Sequence, residues 1–311
     1  MTLIHNLPLS RFSVDRGALM RSDKDWLIQA WHSENTRVLI VKDHQIPVTD
    51  DLSLVWVHPE SIDLPVEELV HHAVLLGVQE DVIYVALVDD SAHAIELNDD
   101  ESIIWAHLRD VGAQLSTHDV GLAVTAIAMS QWHQTHTHCP RCGSRTQVIQ
   151  AGWARHCDLD QSEHYPRTEP AMIVAVTDAS DRLLLGRRAG WPDGWFSTLA
   201  GFVEAGESAE ACVVREVFEE SGVVVSADSL RYLGSQPWPY PASLMLGYRA
   251  VARETEIVCD EEEMAQVKWF TRAEFISACQ TRELKVPNRG TIAWHLIADW
   301  YGEEIPNEWS R

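Results

Sequence analysis

The chain has 311 residues, enough for two domains with separate cores, and its 46% apolar and 23% charged content is that of ordinary globular protein. A formal charge of −23 argues against a broad electrostatic grip on nucleic acid or anionic membrane, but leaves room for a small basic pocket that takes a phosphorylated metabolite. The first twenty residues lack the basic start and apolar run of a signal peptide, and no stretch is apolar for long enough to span a bilayer; a cytoplasmic protein with no membrane partner is expected.

The first hundred residues read as strands: "TRVLIVKD" (36–43), "LSLVWVHP" (52–59), "HAVLLGV" (72–78) and "VIYVALVDD" (82–90), with a hairpin around Gly77 to Asp81. From Glu101 the period changes. "ESIIWAHLRDVGAQLS" and "HDVGLAVTAIAMSQWHQ" both suit helices, so residues 1–135 form one strand-rich N-terminal α+β domain. A His-rich strip then leads into "CPRCG", which opens a ribbon-like segment at 136–168.

Cysteines cluster at Cys139, Cys142 and Cys157, while Cys212, Cys259 and Cys279 stand alone. That is no disulfide framework; it suggests a reduced compartment and a metal site. A zinc ribbon needs two Cys-x-x-Cys knuckles to surround a tetrahedral ion. The first is complete, but the second pairs Cys157 with Asp160. Asp160 supplies the fourth ligand in one reading, His138, His156 or His164 in another. A knuckle that has lost its metal and survives as a turn is the third. With no open coordination position in view, any zinc here is structural.

Residues 169–311 are read as an α/β domain. Two strands, "EPAMIVAVTD" and "DRLLLGRR", meet at a turn at Ala179 and Ser180. Then Gly201 is followed by Glu207, Arg215 and the run REVFEESGV ending at Val223. Ser208 suits a helix N-cap, and Gly222 sits where the helix should stop. At ~100° per residue, Val213, Val214, Val217 and Phe218 share one apolar arc. Glu216, Glu219 and Glu220 fall on the other side, where like charges repel. A hard divalent cation, Mg²⁺ or Mn²⁺, would relieve that repulsion. The plain alternative is a solvated acidic face. Further on, "SQPWPYPASLM" (235–245) carries three prolines, which bar a helix or a central strand. Such a stiff loop with two large aromatics holds something or braces something.

The pattern from Gly201 to Val223 resembles the Nudix box, G-x5-E-x7-R-E-U-x-E-E-x-G-U, at every specified position. Together with the S-Q-P-W-P-[FY]-P-x-S loop and the ribbon, it is similar to the NADH pyrophosphatase subfamily of Nudix hydrolases over about residues 100 to 300. The resemblance implies a Nudix α/β/α sandwich with a mixed sheet and hydrolysis of the pyrophosphate of NAD(H) to AMP and nicotinamide mononucleotide. It also implies removal of NAD caps from RNA 5′ ends, and a homodimer. By the same resemblance Glu216, Glu219 and Glu220 are catalytic, and they hold Mg²⁺ or Mn²⁺ with Glu263 and the carbonyl of Ala200. Gln236, Pro237, Trp238, Pro239, Tyr240, Pro241, Ala242 and Ser243 contact the dinucleotide, with Tyr165 and Ala293. Arg215 is expected to orient a neighbouring carboxylate; Arg187 and Arg188 are either phosphate contacts or surface arginines. Asp160 departs from the family's ribbon. Rival readings are a Nudix hydrolase of another nucleoside diphosphate, such as ADP-ribose, and a ribbon binding protein with an inert hydrolase domain.

Overall fold

The structure is a computed structural model that describes residues 3–23, 25–63, 65–88, 103–259 and 262–310. The chain divides into two units, one of residues 11–168 with 238–242, the other of residues 1–10, 169–237 and 243–311.

The first unit contains α1 (Trp26–Trp31), β1 (Thr36–Val41), β2 (Gln45–Val48), α2 (Val66–His72), β3 (Ala73–Gln79) and β4 (Val82–Val88). It continues through β5 (Ile104–His107), α3 (Leu108–Val111) and α4 (Thr117–Thr135). Strand β4 lies between β1, which it parallels, and β3, its antiparallel hairpin partner. The expected hairpin turns at Glu80, whose φ is 55°. Helix α4 packs on this sheet, capped by Ser116 Oγ, which accepts from Asp119 N at 3.0 Å.

Two expectations fail here. Segment 52–59 makes only isolated bridges, Leu54 to Val48 and Val57 to Val38. A tight turn from Thr49, with Leu52 at φ 60°, and a 3₁₀ turn starting at Pro59 leave it too short to ladder. The helix expected from Glu101 is instead strand β5, paired antiparallel with β2, then one helical turn. Its β-branched and aromatic residues pair with a tertiary partner that sequence periodicity does not reveal. The first two residues of that expected helix, and Asp89 and Asp90 at the end of an expected strand, lie outside the described residues. The unit closes with the antiparallel ribbon β6 (Gln147–Ile149), β7 (Ala154–His156) and β8 (Glu163–His164).

The second unit runs β9 (Glu169–Thr177), β10 (Leu183–Arg188), β11 (Leu199–Phe202), α5 (Ala209–Ser221), β12 (Val224–Val225) and β13 (Arg231–Trp238). Then come β14 (Ser243–Glu254), β15 (Met264–Phe270), α6 (Arg272–Gln280) and α7 (Ile292–Tyr301). Among the described residues these seven strands form one mixed sheet in the order β12-β14-β9-β10-β15, with β11 on β9 and β13 on β14. The β9–β14 pair is parallel, and β10, β11 and β12 pair antiparallel with their neighbours.

Alternation along β9 makes the layers. Met172, Val174 and Val176 pack with Cys212, Val213 and Val217 of α5. Ile173 and Ala175 point the other way, into a core with Phe275 of α6 and Leu296 of α7. The expected α/β/α sandwich with a mixed sheet is present. Strand β13 does run into the proline-rich stretch as far as Trp238, and Pro237 is tolerated because β13 is attached through β14 alone among the described strands.

Leu296 is 0% exposed at the centre of the α7 face. Leu296→Ala should cost about 2–5 kcal/mol of the stability of this unit, read as a lowered unfolding midpoint. An unchanged midpoint would mean that α7 does not form the second layer.

Candidate active site

Helix α5 starts and stops where local chemistry dictates. Ser208 Oγ accepts from Ala211 N at 3.1 Å, and Gly222 ends the helix at φ 71°. The buried stripe is Cys212, Val213, Val217, Glu220 and Ser221. This corrects the expected arc. Phe218 is 55% exposed, whereas the Glu220 side chain, at the i+7 position from Val213, is 1% exposed. A carboxylate on the apolar face of a helix costs stability unless something pairs with it.

Arg215 organises the acidic side. Its Nε and Nη2 donate to the two oxygens of Glu207, both at 2.8 Å. Nη1 reaches Glu219 at 2.8 Å and Glu216 at 3.0 Å, and Nη2 also donates to the Phe202 carbonyl at 3.0 Å. The Arg215 hydrogen bonds hold Glu207 down at about 2. Part of the expected repulsion is therefore relieved by the protein's own arginine. Arg215 orients three carboxylates rather than one.

The opposite end of the acidic face approaches the sheet. Gly201 lies on β11, and a Cβ built there would overlap the Glu216 carboxylate, so a larger residue would displace that carboxylate from its place against the strand. Burial raises Glu216, with Arg215 opposing and the charges of Glu219 and Glu263 adding to it. Glu220 rises to about 7, chiefly by burial, with Arg188 opposing and Glu216 and Glu263 adding. One oxygen of Glu220, Oε2, is buried without a hydrogen-bond partner among the described residues. Arg188 Nη2 donates to Glu220 Oε1 at 3.3 Å and to the carbonyl of Ala200 at 3.3 Å. Arg188 is thus neither free at the surface nor idle. It brings a cation to two of the donors expected to hold a metal.

The structure therefore ties Ala200 and Glu220 together through Arg188 and sets Glu216 against the next strand residue, Gly201, with Glu263 near enough to shift both acids and its carbonyl fixed by Ala189 N at 2.7 Å. Glu219 is further out, 54% exposed. An orphaned buried oxygen, a glycine cradle and hard oxygen donors suit a divalent cation. Arg187 bonds instead to the Trp191 carbonyl at 3.1 Å and pairs with Asp193 at 3.2 Å.

The proline loop is divided in its tasks. Gln236 is 0% exposed; its amide donates to the Gly290 carbonyl at 3.0 Å and its oxygen accepts from Leu9 N at 3.5 Å. Pro237 is half-buried, and Ser243, which starts β14, is buried. In the other unit Trp238 and Tyr240 meet edge to face at 5.0 Å, and the Tyr240 hydroxyl accepts from Arg109 N at 2.9 Å. Burial pushes that phenol up to about 12. The buried Pro239 accepts from the Gln131 amide through its carbonyl, while Pro241 is exposed and Ala242 half-buried. Tyr165 is 57% exposed, with its hydroxyl on Glu163. Ala293 is 5% exposed in the first turn of α7.

In the ribbon, the ligand atoms of Cys139, Cys142, Cys157 and Asp160 all lie within 4.8 Å of one another. Cys142 and Cys157 sulfurs are 3.4 Å apart, and Cys139 Sγ is 3.4 Å from Asp160 Oδ2. A tetrahedral zinc with ~2.3 Å bonds needs edges of about 3.8 Å, so the set fits. Both loops fold alike. Cys139 N bonds Ser144 O and Gly143 N bonds Cys139 O, just as Cys157 N bonds Ser162 O and Gln161 N bonds Cys157 O. Asp160 thus occupies a knuckle position, and His138, His156 and His164 are not in the cluster. Ser162, which the sequence reading passed over, orients Asp160 by donating its backbone N–H at 3.0 Å and its hydroxyl at 2.5 Å.

Fold and box define a Nudix-domain protein. Three family models match in succession: an NADH pyrophosphatase-like rudimentary NUDIX domain over residues 31–132, an NADH pyrophosphatase zinc ribbon domain over 134–165, and a NUDIX domain over 167–295. The chain is 34% identical over 301 residues, 94% of each chain, to a protein named NAD-capped RNA hydrolase NudC from Mycobacterium bovis. It is 37% identical over 199 residues, 60% of this chain and 43% of the other, to the human NAD-capped RNA hydrolase NUDT12. A solved Nudix hydrolase from Nitrosomonas europaea aligns with 44% of this chain and 79% of its own at 20% identity and a TM-score of 0.38. The chain belongs to the NADH pyrophosphatase family of Nudix hydrolases. The N-terminal rudimentary Nudix domain escaped the sequence reading because it has no box to betray it.

Glu220 yields a pH prediction for metal-stripped protein. Its folded-state value lies above the ordinary one, so the folded chain holds the extra proton and stability falls as pH rises from about 4.5 through about 7. Glu220→Gln should leave stability near pH 4.5 almost unchanged and raise it at pH 8 by at most ~3 kcal/mol. Thermal unfolding across that range checks it; a pH-independent difference would contradict the burial argument.

Proposed function

We propose that the protein hydrolyses the pyrophosphate of NAD(H) to AMP and nicotinamide mononucleotide, and that it also removes NAD caps from RNA 5′ ends. The observation that carries this reading is the Ala200–Glu216–Glu220 donor set under Gly201, in a chain similar along 94% of its length to proteins named NAD-capped RNA hydrolases. Mg²⁺ or Mn²⁺ held by Glu216, Glu219, Glu220, Glu263 and the Ala200 carbonyl would supply charge neutralisation at the diphosphate and polarise its P–O bonds. Water's oxygen joins one phosphorus as the bridging P–O bond breaks, and the bridging oxygen leaves with the other phosphate. Arg215 keeps the carboxylates in fixed positions, which spares reorganisation during the reaction. Trp238 offers a flat apolar face for a base or nicotinamide, with Tyr165, Tyr240, Pro241, Ala242 and Ala293 as further contacts; Gln236, Pro237, Pro239 and Ser243 hold the loop in shape. Zinc on Cys139, Cys142, Cys157 and Asp160 is structural. We further infer a cytoplasmic homodimer. No helix among the described residues is long and apolar enough to cross a membrane.

Release of AMP from NADH, NAD, ADP-ribose and NAD-capped RNA, compared side by side with Mg²⁺ or Mn²⁺, tests the reading. Glu219→Gln and Glu220→Gln should each lower turnover by about 100-fold or more without loss of fold. Trp238→Ala should impair the NAD substrates more than ADP-ribose. ADP-ribose as the best substrate, or full activity in both glutamine variants, would overturn the assignment.

Metal analysis addresses the ribbon. Purified chain should carry about one zinc, and Cys142→Ser should lose both the zinc and thermal stability. Absence of zinc from reduced protein never exposed to chelator would make the knuckles metal-free turns.

A further inference from the structure

The first unit contains a cavity of about 680 Å³ between the end of α2, the end of α4 and the ribbon. Its lining includes His71, His133, Arg145, Thr146, Gln147 and Arg155, and no Asp or Glu is among the described residues that line it. In a chain of net charge −23 such a wall is unusual.

Arg155 is the centre of it. The residue is 7% exposed, and all three of its hydrogen-bond acceptors are neutral. Nε donates to Thr146 Oγ1 at 2.8 Å, Nη2 to the Thr146 carbonyl at 3.0 Å, and Nη1 to His133 Nδ1 at 2.9 Å. His133 is itself buried, and burial pushes it down to about 4, so it is uncharged at neutral pH. Its Nε2 lies 2.8 Å from the Gly152 carbonyl and must carry the ring proton, which leaves Nδ1 as the acceptor for Arg155. A guanidinium has five N–H groups, and these contacts use three. One N–H on each of Nη1 and Nη2 remains, and among the described residues no carboxylate bonds the guanidinium.

Burying a cation without a counter-charge is costly, and a protein that keeps one usually supplies an anion. Arg145 lines the same cavity and brings a second positive charge to it. A bound anion would answer both arginines at once. The paired N–H groups of a guanidinium match the oxygens of a phosphate. The cavity is also of the size that holds a small metabolite rather than a bare ion. No Trp, Tyr or Phe is among the described residues that line it, so it offers no platform for stacking a base.

We propose that this cavity is a binding site for the phosphate or diphosphate end of a small metabolite, separate from the Nudix carboxylates, with Arg155 and Arg145 as the anion ligands and Thr146 and His133 holding Arg155 in place. The rival is structural: Arg155 merely ties the ribbon to α4.

Calorimetric titration of full-length, zinc-loaded protein with inorganic phosphate and with pyrophosphate, without added Mg²⁺ or Mn²⁺, decides between them. Saturable binding is expected that weakens as sodium chloride is raised. The Gln147 amide donates to Asp158 at 2.6 Å, so Gln147→Glu loses that bond as it puts a negative charge at the exposed edge of the cavity; with the melting temperature checked beside affinity, it should weaken binding roughly tenfold or more. Arg145→Ala, also at an exposed position, should weaken it by a smaller factor, while Glu220→Gln should leave it unchanged. Because Arg155 is buried, Arg155→Lys serves as a second variant: melting temperature measured beside affinity separates lost folding from lost binding. No binding at millimolar ligand, equal binding in wild type and Gln147→Glu, or loss of binding in Glu220→Gln would each overturn the proposal. A 5′-hydroxyl oligonucleotide that binds as well as pyrophosphate would also overturn it, since the site would then read phosphodiesters instead of terminal phosphate.

Discussion

The contact on which the hydrolase unit turns is the approach of Glu216 to Gly201. A helix that carries Glu216, Glu219 and Glu220 within two turns can seat them beside a sheet only if the strand beneath yields space and a cation balances the charge. Gly201 yields the space, having no side chain where the carboxylate lies. Arg215 and Arg188 supply much of the balance, the first bonding Glu207 and Glu219 and pairing with Glu216, the second bonding Glu220 and Ala200. What they leave is one buried, partnerless oxygen on Glu220. The site is thus an electrostatic arrangement that is nearly, but not fully, compensated by the chain itself. Residual negative potential in a buried oxygen set is what gives a divalent cation a reason to bind.

Legibility in the sequence followed locality. Ser208 and Gly222 act within a few residues of themselves, and both did what their types predict. Strand β9 was equally readable as a strand, because strand propensity is local, but its division between two cores came only with the layers that cover it. Glu220 was legible as a candidate ligand but not as a buried group. The helical-wheel arc ran from Val213 to Phe218, whereas the real stripe slants from Val213 through Val217 to Glu220, leaving Phe218 outside. The strands packed against it, not α5 alone, decide which way that helix rolls. The strand at Ile104–His107 was misread for a related reason: its partner, Gln45–Val48, is nearly sixty residues earlier in the chain, and nothing local announces the pairing.

The ribbon shows the converse, a local rule that survives a change of chemistry. Replacing the fourth thiolate by Asp160 could have dissolved the second knuckle. Its backbone instead repeats the hydrogen bonds of the first, Cys157 to Ser162 matching Cys139 to Ser144. Asp160 is held by the Ser162 amide and hydroxyl, which lower its proton affinity and keep it anionic, the form a metal needs. Loop geometry and ligand identity are therefore separable here: the turn is specified by its backbone bonds, and a carboxylate stands where the first knuckle has its second thiolate.

The same separation resolves the stiff loop at 235–245. On the function proposed above, holding and bracing are not alternatives, because they fall on different residues. Gln236 has both ends of its amide engaged within the protein, so what it contributes is a fixed strand end. Tyr240 also gives up its hydroxyl, to Arg109 N, and turns its ring edge toward Trp238. Each constraint removes freedom from Trp238 without occupying its indole nitrogen or covering it completely; it stays half-buried. A rigid aromatic costs less entropy to order on binding than a mobile one. The prolines and buried polar anchors therefore act on the tryptophan they immobilise, and the recognition proposed above would fall to the part of the loop that the protein leaves unused.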